Sequence, residues 1–359
     1  MRKDNFTDPM YVSYEKVPES LNKWKLKESD YRAFNKIDWV VTEKIHGANF
    51  GIVTDGSEVR FAKRKEFLQP DEDFFDYQSL SNQLAAQAKQ IFKILQSQQN
   101  RLLRVSVYGE LFGGDYPHPD VPAVAHVQAV QTGIYYSPKI EFCAFDIAVE
   151  EKHQSPLRTY LDYDNGLKIV QQVGMMGAEP LLIGKYEDAL AYPIEFESRI
   201  PSLLGLPPLP LKNPAEGIVI KPVQSISVET AKGRFRPILK KKIPEFAEDS
   251  RFHQATKWVS QRFPVLNEEL SIEEELSQEM LAFVTKPRLS NVISKVGRVS
   301  EGDEETKQQL VQLLINDVLE TFNEEWESLF NALSGESQQK LMVQLNQESQ
   351  RLVNGYFWT

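Results

Sequence analysis

The spacing of apolar residues changes near Lys242, and that change limits what the chain can fold into. Before it, short runs rich in β-branched and aromatic residues stand between turns: Val40-Val41-Thr42, Phe50 to Val53, Val59 to Ala62, Val105 to Tyr108, Phe142 to Ile147 and Ile218 to Ile220. Asp55-Gly56 between two of these runs is a hairpin signal. Helices are expected over 78–97, where Leu80, Leu84, Ala88, Ile91 and Leu95 recur at three- and four-residue steps, and over 164–173, ending at Gly174. Beyond Lys242 the strand signal fades. Ser271-Ile272-Glu273-Glu274 reads as a capping box ahead of a helix near 272–284. Leu310, Leu313, Leu314, Val318, Phe322, Trp326, Leu329 and Leu333 trace a helical stripe, and 336–352 reads as another helix.

A chain of 359 residues also exceeds one ordinary core, which stops growing at roughly 250–300 residues. The expected architecture is therefore an α+β domain over 1–245, built of antiparallel sheets and flanking helices, followed by a smaller all-α domain over 246–359. Residues 201–214 carry five prolines and read as an irregular surface connection.

The net charge of −10 argues at first against a polyanionic partner. Its distribution removes that argument. Residues 243–359 hold ten Lys and Arg against twenty Asp and Glu, so the whole excess lies behind residue 242 and the front is balanced. The single cysteine, Cys143, excludes an internal disulfide and a cysteine-cluster zinc site. No apolar run approaches the ~18 residues of a membrane span, and no secretory segment is recognised. The expectation is an intracellular, cytoplasmic protein.

The chemistry is concentrated in a few stretches. Glu43-Lys44-Ile45-His46-Gly47-Ala48-Asn49 stands at the end of a strand signal. Lys44 is either an exposed turn residue or a nucleophile, with Gly47 letting backbone approach a ligand. A free lysine has a pKa of ~10.4, so freeing its amine at pH 7 costs about 4.6 kcal/mol unless burial or nearby cations help. Such cations lie downstream, where residues 232–242 hold six positive charges and no acid. If Ile238-Leu239-Lys240 is a strand, Lys240 and Lys242 share a face suited to a nucleotide phosphate. Glu110, in Tyr108-Gly109-Glu110, and Glu216, in Ala215-Glu216-Gly217, are either turn acids or ligands for a ribose hydroxyl or a hydrated Mg²⁺. Phe142 is either core or a stacking platform for a base.

The order of these pieces resembles the covalent nucleotidyltransferases, the superfamily of ATP-dependent ligases and RNA capping enzymes. Lys44-Ile45-His46-Gly47 looks like the lysine motif, followed by Arg64, Glu110, Phe142, Glu216 in Glu-Gly-Ile-Val-Ile-Lys, and Lys240-Lys241-Lys242. His46, where DNA ligases and capping enzymes carry Asp, and Asn49-Phe50 narrow the likeness to the RNA ligase 2 and RNA-editing ligase family. The resemblance spans residues 43–242. It implies an ATP-grasp-like ligase fold and an ATP-dependent RNA ligase using Mg²⁺ or Mn²⁺. Lys44 would form a lysyl-AMP, and AMP would pass to a 5′-phosphate that a 3′-hydroxyl then attacks, at a nick in duplex RNA in the course of RNA repair.

By the same resemblance, Phe142 would stack on adenine, Glu110 would bind the ribose, Glu43 would help recognise adenine and Ile45 would belong to the cofactor site. Lys221, Lys240 and Lys242 would serve the cofactor, the last two at the α-phosphate. Glu216 would hold the metal. His46, Asn49 and Arg64 would act in the chemical steps. A DNA ligase or capping guanylyltransferase would carry an OB-fold after the last lysine motif, whereas residues 243–359 read as helices. A nucleic-acid-binding module that had lost the reaction would not keep every reactive position filled. The helical part is expected to touch RNA through a limited basic face including Arg251, Lys257 and Arg262.

Overall fold

In the computed structural model the described residues are 11–21, 24–99, 101–152, 158–230, 233–246, 272–297 and 303–356. The chain divides into two compact units, Met1–Ile243 and Pro244–Thr359.

Among its described residues the front unit holds two antiparallel sheets and a small hairpin. Strands β1 (Trp39–Glu43), β2 (Ala48–Thr54), β3 (Val59–Ala62), β4 (Leu102–Asp115), β5 (Ser137–Glu151), β6 (Arg158–Tyr160), β7 (Pro180–Gly184), β8 (Gly217–Pro222), β9 (Val228–Thr230), β10 (Gly233–Phe235) and β11 (Leu239–Lys242) follow in chain order. A four-stranded sheet runs β11-β8-β1-β7, a five-stranded sheet runs β3-β2-β4-β5-β6, and β9 pairs with β10. The expected hairpin joins β2 to β3: Asp55 Oδ1 accepts from the backbone N–H groups of Ser57 and Glu58, which fixes the turn.

One face of the five-stranded sheet is closed by α2 (Gln78–Gln98), which follows α1 (Glu28–Phe34). The periodic residues Leu84, Ala88, Ile91 and Leu95 pack there against Phe50, Ile52, Val105 and Val107. Each such side chain, fully buried, stabilises the fold by roughly 1.5–3 kcal/mol. Helix α3 (Tyr163–Gln172) adds Ile169 and Val170 to the same core. The four-stranded sheet has its own core of Trp39, Val41, Ile218 and Ile220 with Phe34 and Tyr186, the last from α4 (Tyr186–Ala191). The proline-rich stretch contains only a short helix, α5 (Ile200–Leu203), before an irregular run to Asn213.

The C-terminal unit is helical where described: α6 (Ile272–Ala282), α7 (Lys286–Val296), α8 (Glu304–Ala332) and α9 (Gly335–Tyr356). Of the expected stripe, Leu310, Leu314, Val318 and Phe322 are buried, and they meet Leu341 and Leu345 of α9. Helix α7 was not anticipated from periodicity. It starts at Thr285, whose side chain accepts from the Arg288 N–H, and carries Pro287 in its first turn, where no N–H is needed. Ser271 of the expected capping box, and the residues Arg251, Lys257 and Arg262, lie outside the described residues. No described helix is long and apolar enough to cross a membrane.

Candidate active site

Residues 44–47 form the link between the two sheets, because β1 belongs to the four-stranded sheet and β2 to the five-stranded one. Lys44 leaves β1 with its backbone N–H donating to the Gly217 carbonyl at 2.9 Å. The link then passes so close to β4 that a Cβ on Gly47 would stand 2.1 Å from the Leu111 carbonyl oxygen. Only glycine fits that approach.

Glu216, at the mouth of β8, is the electrostatic centre. Its Oε2 accepts from Lys44 Nζ at 2.5 Å and stands 3.4 Å from His46 Nδ1, while Oε1 stands 3.3 Å from Lys242 Nζ. Glu216 is 1% exposed. Burial opposes its ionisation, yet Lys44, Lys242 and His46 hold its carboxyl well below the usual range. Strand alternation explains Lys242: on β11, Lys240 and Lys242 pair with Val219 and Gly217, while Lys241 pairs with Ile218 and donates to the Leu190 carbonyl. Lys240 is half-buried, its Nζ 3.9 Å from Glu19.

Asn49 and Glu110 are register partners on β2 and β4, so their side chains share a face. Burial pushes the Glu110 carboxyl up to about 7, against Lys44, Arg64 and Lys242, which pull it down. Asn49 Oδ1 is buried without a hydrogen-bond partner. Arg64 follows β3, whose last residue, Ala62, pairs with Gly51 of β2. Glu43 uses both oxygens on the 198–199 turn, accepting from Ser198 Oγ at 2.6 Å and from the Arg199 N–H at 2.9 Å. That makes it an anchor of this turn. Ile45, within the link, is buried.

Two expected nucleotide contacts need correction. Phe142 is 5% exposed and packs in the core against Phe50, with ring centroids 5.8 Å apart. It is not a platform. Strand β5 bulges: Gly109 pairs with Ala144, but Tyr108 pairs with Asp146. Before the bulge Ile140, Phe142 and Ala144 face the core, and after it Ile147 and Val149 do. Phe145 and Asp146 therefore both turn to the opposite face. There Phe145 is half-buried, edge-on to Tyr14 at 4.9 Å, in a cluster that includes Val219. Phe145 is the ring that reading the strand as a plain alternation misses.

Lys221 is likewise drawn away from a ligand. Its Nζ donates to the Phe145 carbonyl at 2.6 Å and to Asp146 Oδ1 at 2.8 Å. Arg236 and the Tyr14 hydroxyl both donate to Asp146 Oδ2. Burial opposes the Asp146 charge, but Arg236 and Lys221 outweigh it and hold the carboxyl down to about 2. Burial pulls the Lys221 ammonium below its ordinary value. This network fixes the backbone behind Phe145.

Among the described residues no group of three or more His, Cys, Asp and Glu forms a metal cage. Glu216 nevertheless fits a hydrated divalent ion: it is a buried carboxylate whose Oε1 makes an ionic contact but no hydrogen bond.

Residues 37–242 match the family model described as RNA ligase, and residues 267–351 match that of the T4 RNA ligase 2 C-terminal region. RNA-editing ligase 2, mitochondrial, of Trypanosoma brucei brucei is 33% identical over 79% of this chain and 76% of its own length. RNA-editing ligase 1, mitochondrial, of the same organism is 31% identical over 88% and 76%. A solved Naegleria gruberi RNA ligase variant with ATP and Mn has a TM-score of 0.42 and 14% identity over 66% of this chain, which spans 58% of that one. Carried by the sequence matches, this chain belongs to the RNA ligase family, in the branch of RNA ligase 2 and the RNA-editing ligases.

Proposed function

We propose that the protein is an ATP-dependent RNA ligase that works through lysyl-AMP at nicks in duplex RNA. The observation that carries this reading is one buried carboxylate, Glu216, drawing Lys44, His46 and Lys242 together from both ends of the motif series. In the first step Lys44 Nζ attacks the α-phosphorus of ATP, the N–P bond forms, and the bond to pyrophosphate breaks. An oxygen of an RNA 5′-phosphate then attacks that phosphorus and frees Lys44. Finally the neighbouring 3′-hydroxyl attacks the 5′-phosphorus and AMP leaves.

Such transfers need positioning and charge neutralisation. Lys240 and Lys242 face the phosphates from β11. Glu110 meets the ribose, and its partly protonated state near neutral pH suits it to donate or accept a hydrogen bond. Phe145 and Val219 flank the base. Asn49 and Arg64 face the RNA end. Glu216 holds Lys44 as its ion-pair partner, so the pair must separate before Nζ presents its lone pair. A Mg²⁺ or Mn²⁺ ion at Glu216 would supply positive charge to the phosphates and compete with Lys44 for the carboxylate.

Residues 1–245 carry the transfer chemistry in this proposal, and 246–359 engage the RNA. The protein is taken to act inside the cell; the two Trypanosoma relatives are described as mitochondrial. The test is incubation with radiolabelled ATP and a divalent cation. Covalent AMP on the wild type and none on Lys44→Ala is expected; an unlabelled wild type sinks the proposal. Sealing of nicked RNA duplex should exceed sealing of nicked DNA, and the reverse order overturns the RNA assignment.

A further inference from the structure

Beside Asn49 and Arg64 stands a third polar group that the site has not used. The Tyr11 hydroxyl is buried and has no hydrogen-bond partner. Its ring is tilted against Phe67, centroids 5.2 Å apart. The hydroxyl rests on Gly51, where a Cβ would lie 2.5 Å from it. Gly51 and Asn49 are two residues apart on β2 and face the same side, and Asn49 Oδ1 is the second buried polar atom there without a partner. Arg158 and Arg64 both act electrostatically on Tyr11, and Arg64 acts on Glu110 as well, so its charge lies near both groups.

Leaving a hydroxyl and an amide oxygen buried and unpaired costs stability, and glycine at position 51 makes the room for one of them. A donor hydroxyl and an acceptor oxygen on one face, with a guanidinium near, match a phosphate with a ribose hydroxyl next to it.

We propose that Tyr11 is a substrate contact: its hydroxyl donates to a nucleotide phosphate held by Arg64, while Asn49 Oδ1 accepts from the adjoining ribose hydroxyl. This rests on the ligase reading. The phosphate belongs either to the RNA end or to ATP, and the test separates the two. Tyr11→Phe keeps the ring on Phe67 and over Gly51 and removes only the unpaired hydroxyl. Its melting temperature should equal or exceed that of the wild type.

Two single-turnover rates are measured. One is labelling of Lys44 by ATP across ATP concentrations; the other is sealing of a nicked RNA duplex whose 5′ end already carries AMP. A loss of about tenfold or more in sealing alone assigns the contact to the RNA end, and in labelling alone to ATP. The same loss in both at an unchanged melting temperature assigns it to both. Wild-type rates in both arms overturn the proposal, as does a lowered melting temperature with matching losses, the mark of a purely structural tyrosine. A wild type that takes no label refutes the ligase reading itself.

Discussion

Asp146→Asn offers the sharpest test of the network behind Phe145. The native carboxylate accepts from Lys221 at 2.8 Å, Arg236 at 3.0 Å and Tyr14 at 2.5 Å. Its pKa falls from 3.8 to about 2 on folding. At about 1.4 kcal/mol per unit that is about 2–3 kcal/mol. Because the folded value is the lower one, this stability is present above pH 4 and is lost as pH falls towards 2. Asparagine removes it at every pH and also strips Lys221, 6% exposed, of its counter-charge. Arg236 keeps Glu15 at 2.8 Å. Breaking one side of a buried pair costs about 3–5 kcal/mol, whereas replacing both partners by uncharged groups is often near neutral. Urea unfolding followed by tryptophan fluorescence should therefore show a loss of about 3–5 kcal/mol for Asp146→Asn, with a good part restored in Asp146→Asn/Lys221→Met. A loss below about 1 kcal/mol, or a double variant no better than the single one, refutes the reasoning.

The same geometry sets other outcomes. Glu110 has a folded pKa near 7 against 4.5 unfolded, so the folded state binds the extra proton and stability falls as pH rises through that window. Glu110→Gln should melt with the wild type near pH 4 and above it at pH 8, by about 1–2 kcal/mol after allowing for partial exposure; melting curves across this range decide it. Phe142→Leu should cost roughly 1–3 kcal/mol of stability with the KM for ATP little changed, while Phe145→Leu should raise that KM several-fold at a smaller stability cost, as paired melting and labelling curves would show. Cys143 is buried and its thiol is pushed far up by burial and by Glu43 and Glu110, so iodoacetamide should leave it unmodified in the native protein and alkylate it in urea.

What was legible in the sequence was whatever depends on near neighbours. The hairpin at Asp55, the stripe on α2 and the alternation of Lys240 and Lys242 all follow from local period and turn chemistry. Three features were not legible, each for a physical reason. The bulge at Phe145-Asp146 shifts the inward positions of β5 from even to odd, and only the pairing with Tyr108 and Gly109 on β4 reveals it. The basic run 232–242 looked like one patch, yet its members diverge: Arg236 turns to Asp146, Lys241 to the Leu190 carbonyl and Lys242 to Glu216. Sequence counts charges; strand geometry and burial decide which of them reach solvent, a ligand or a buried partner.

The third feature is the contact between Lys44 and Glu216, separated by 172 residues and joined because β1 and β8 are neighbours in register. Glu43 pairs with Ile218, so Lys44 emerges where Glu216 ends the preceding turn. The register holds Lys44 on its counter-ion, and Gly47 turns the chain at once into the second sheet. On the proposed function, the carboxylate that restrains Lys44 is the same one that a metal would claim. A Glu216→Gln variant removes the charge from that carboxylate while keeping its shape. If restraint by charge were its whole purpose, labelling of Lys44 would survive or rise; if the carboxylate is also the metal's seat, labelling falls and higher Mn²⁺ restores it only weakly. Labelling measured against Mn²⁺ concentration separates the two, and the buried Oε1 with no hydrogen bond argues for the second.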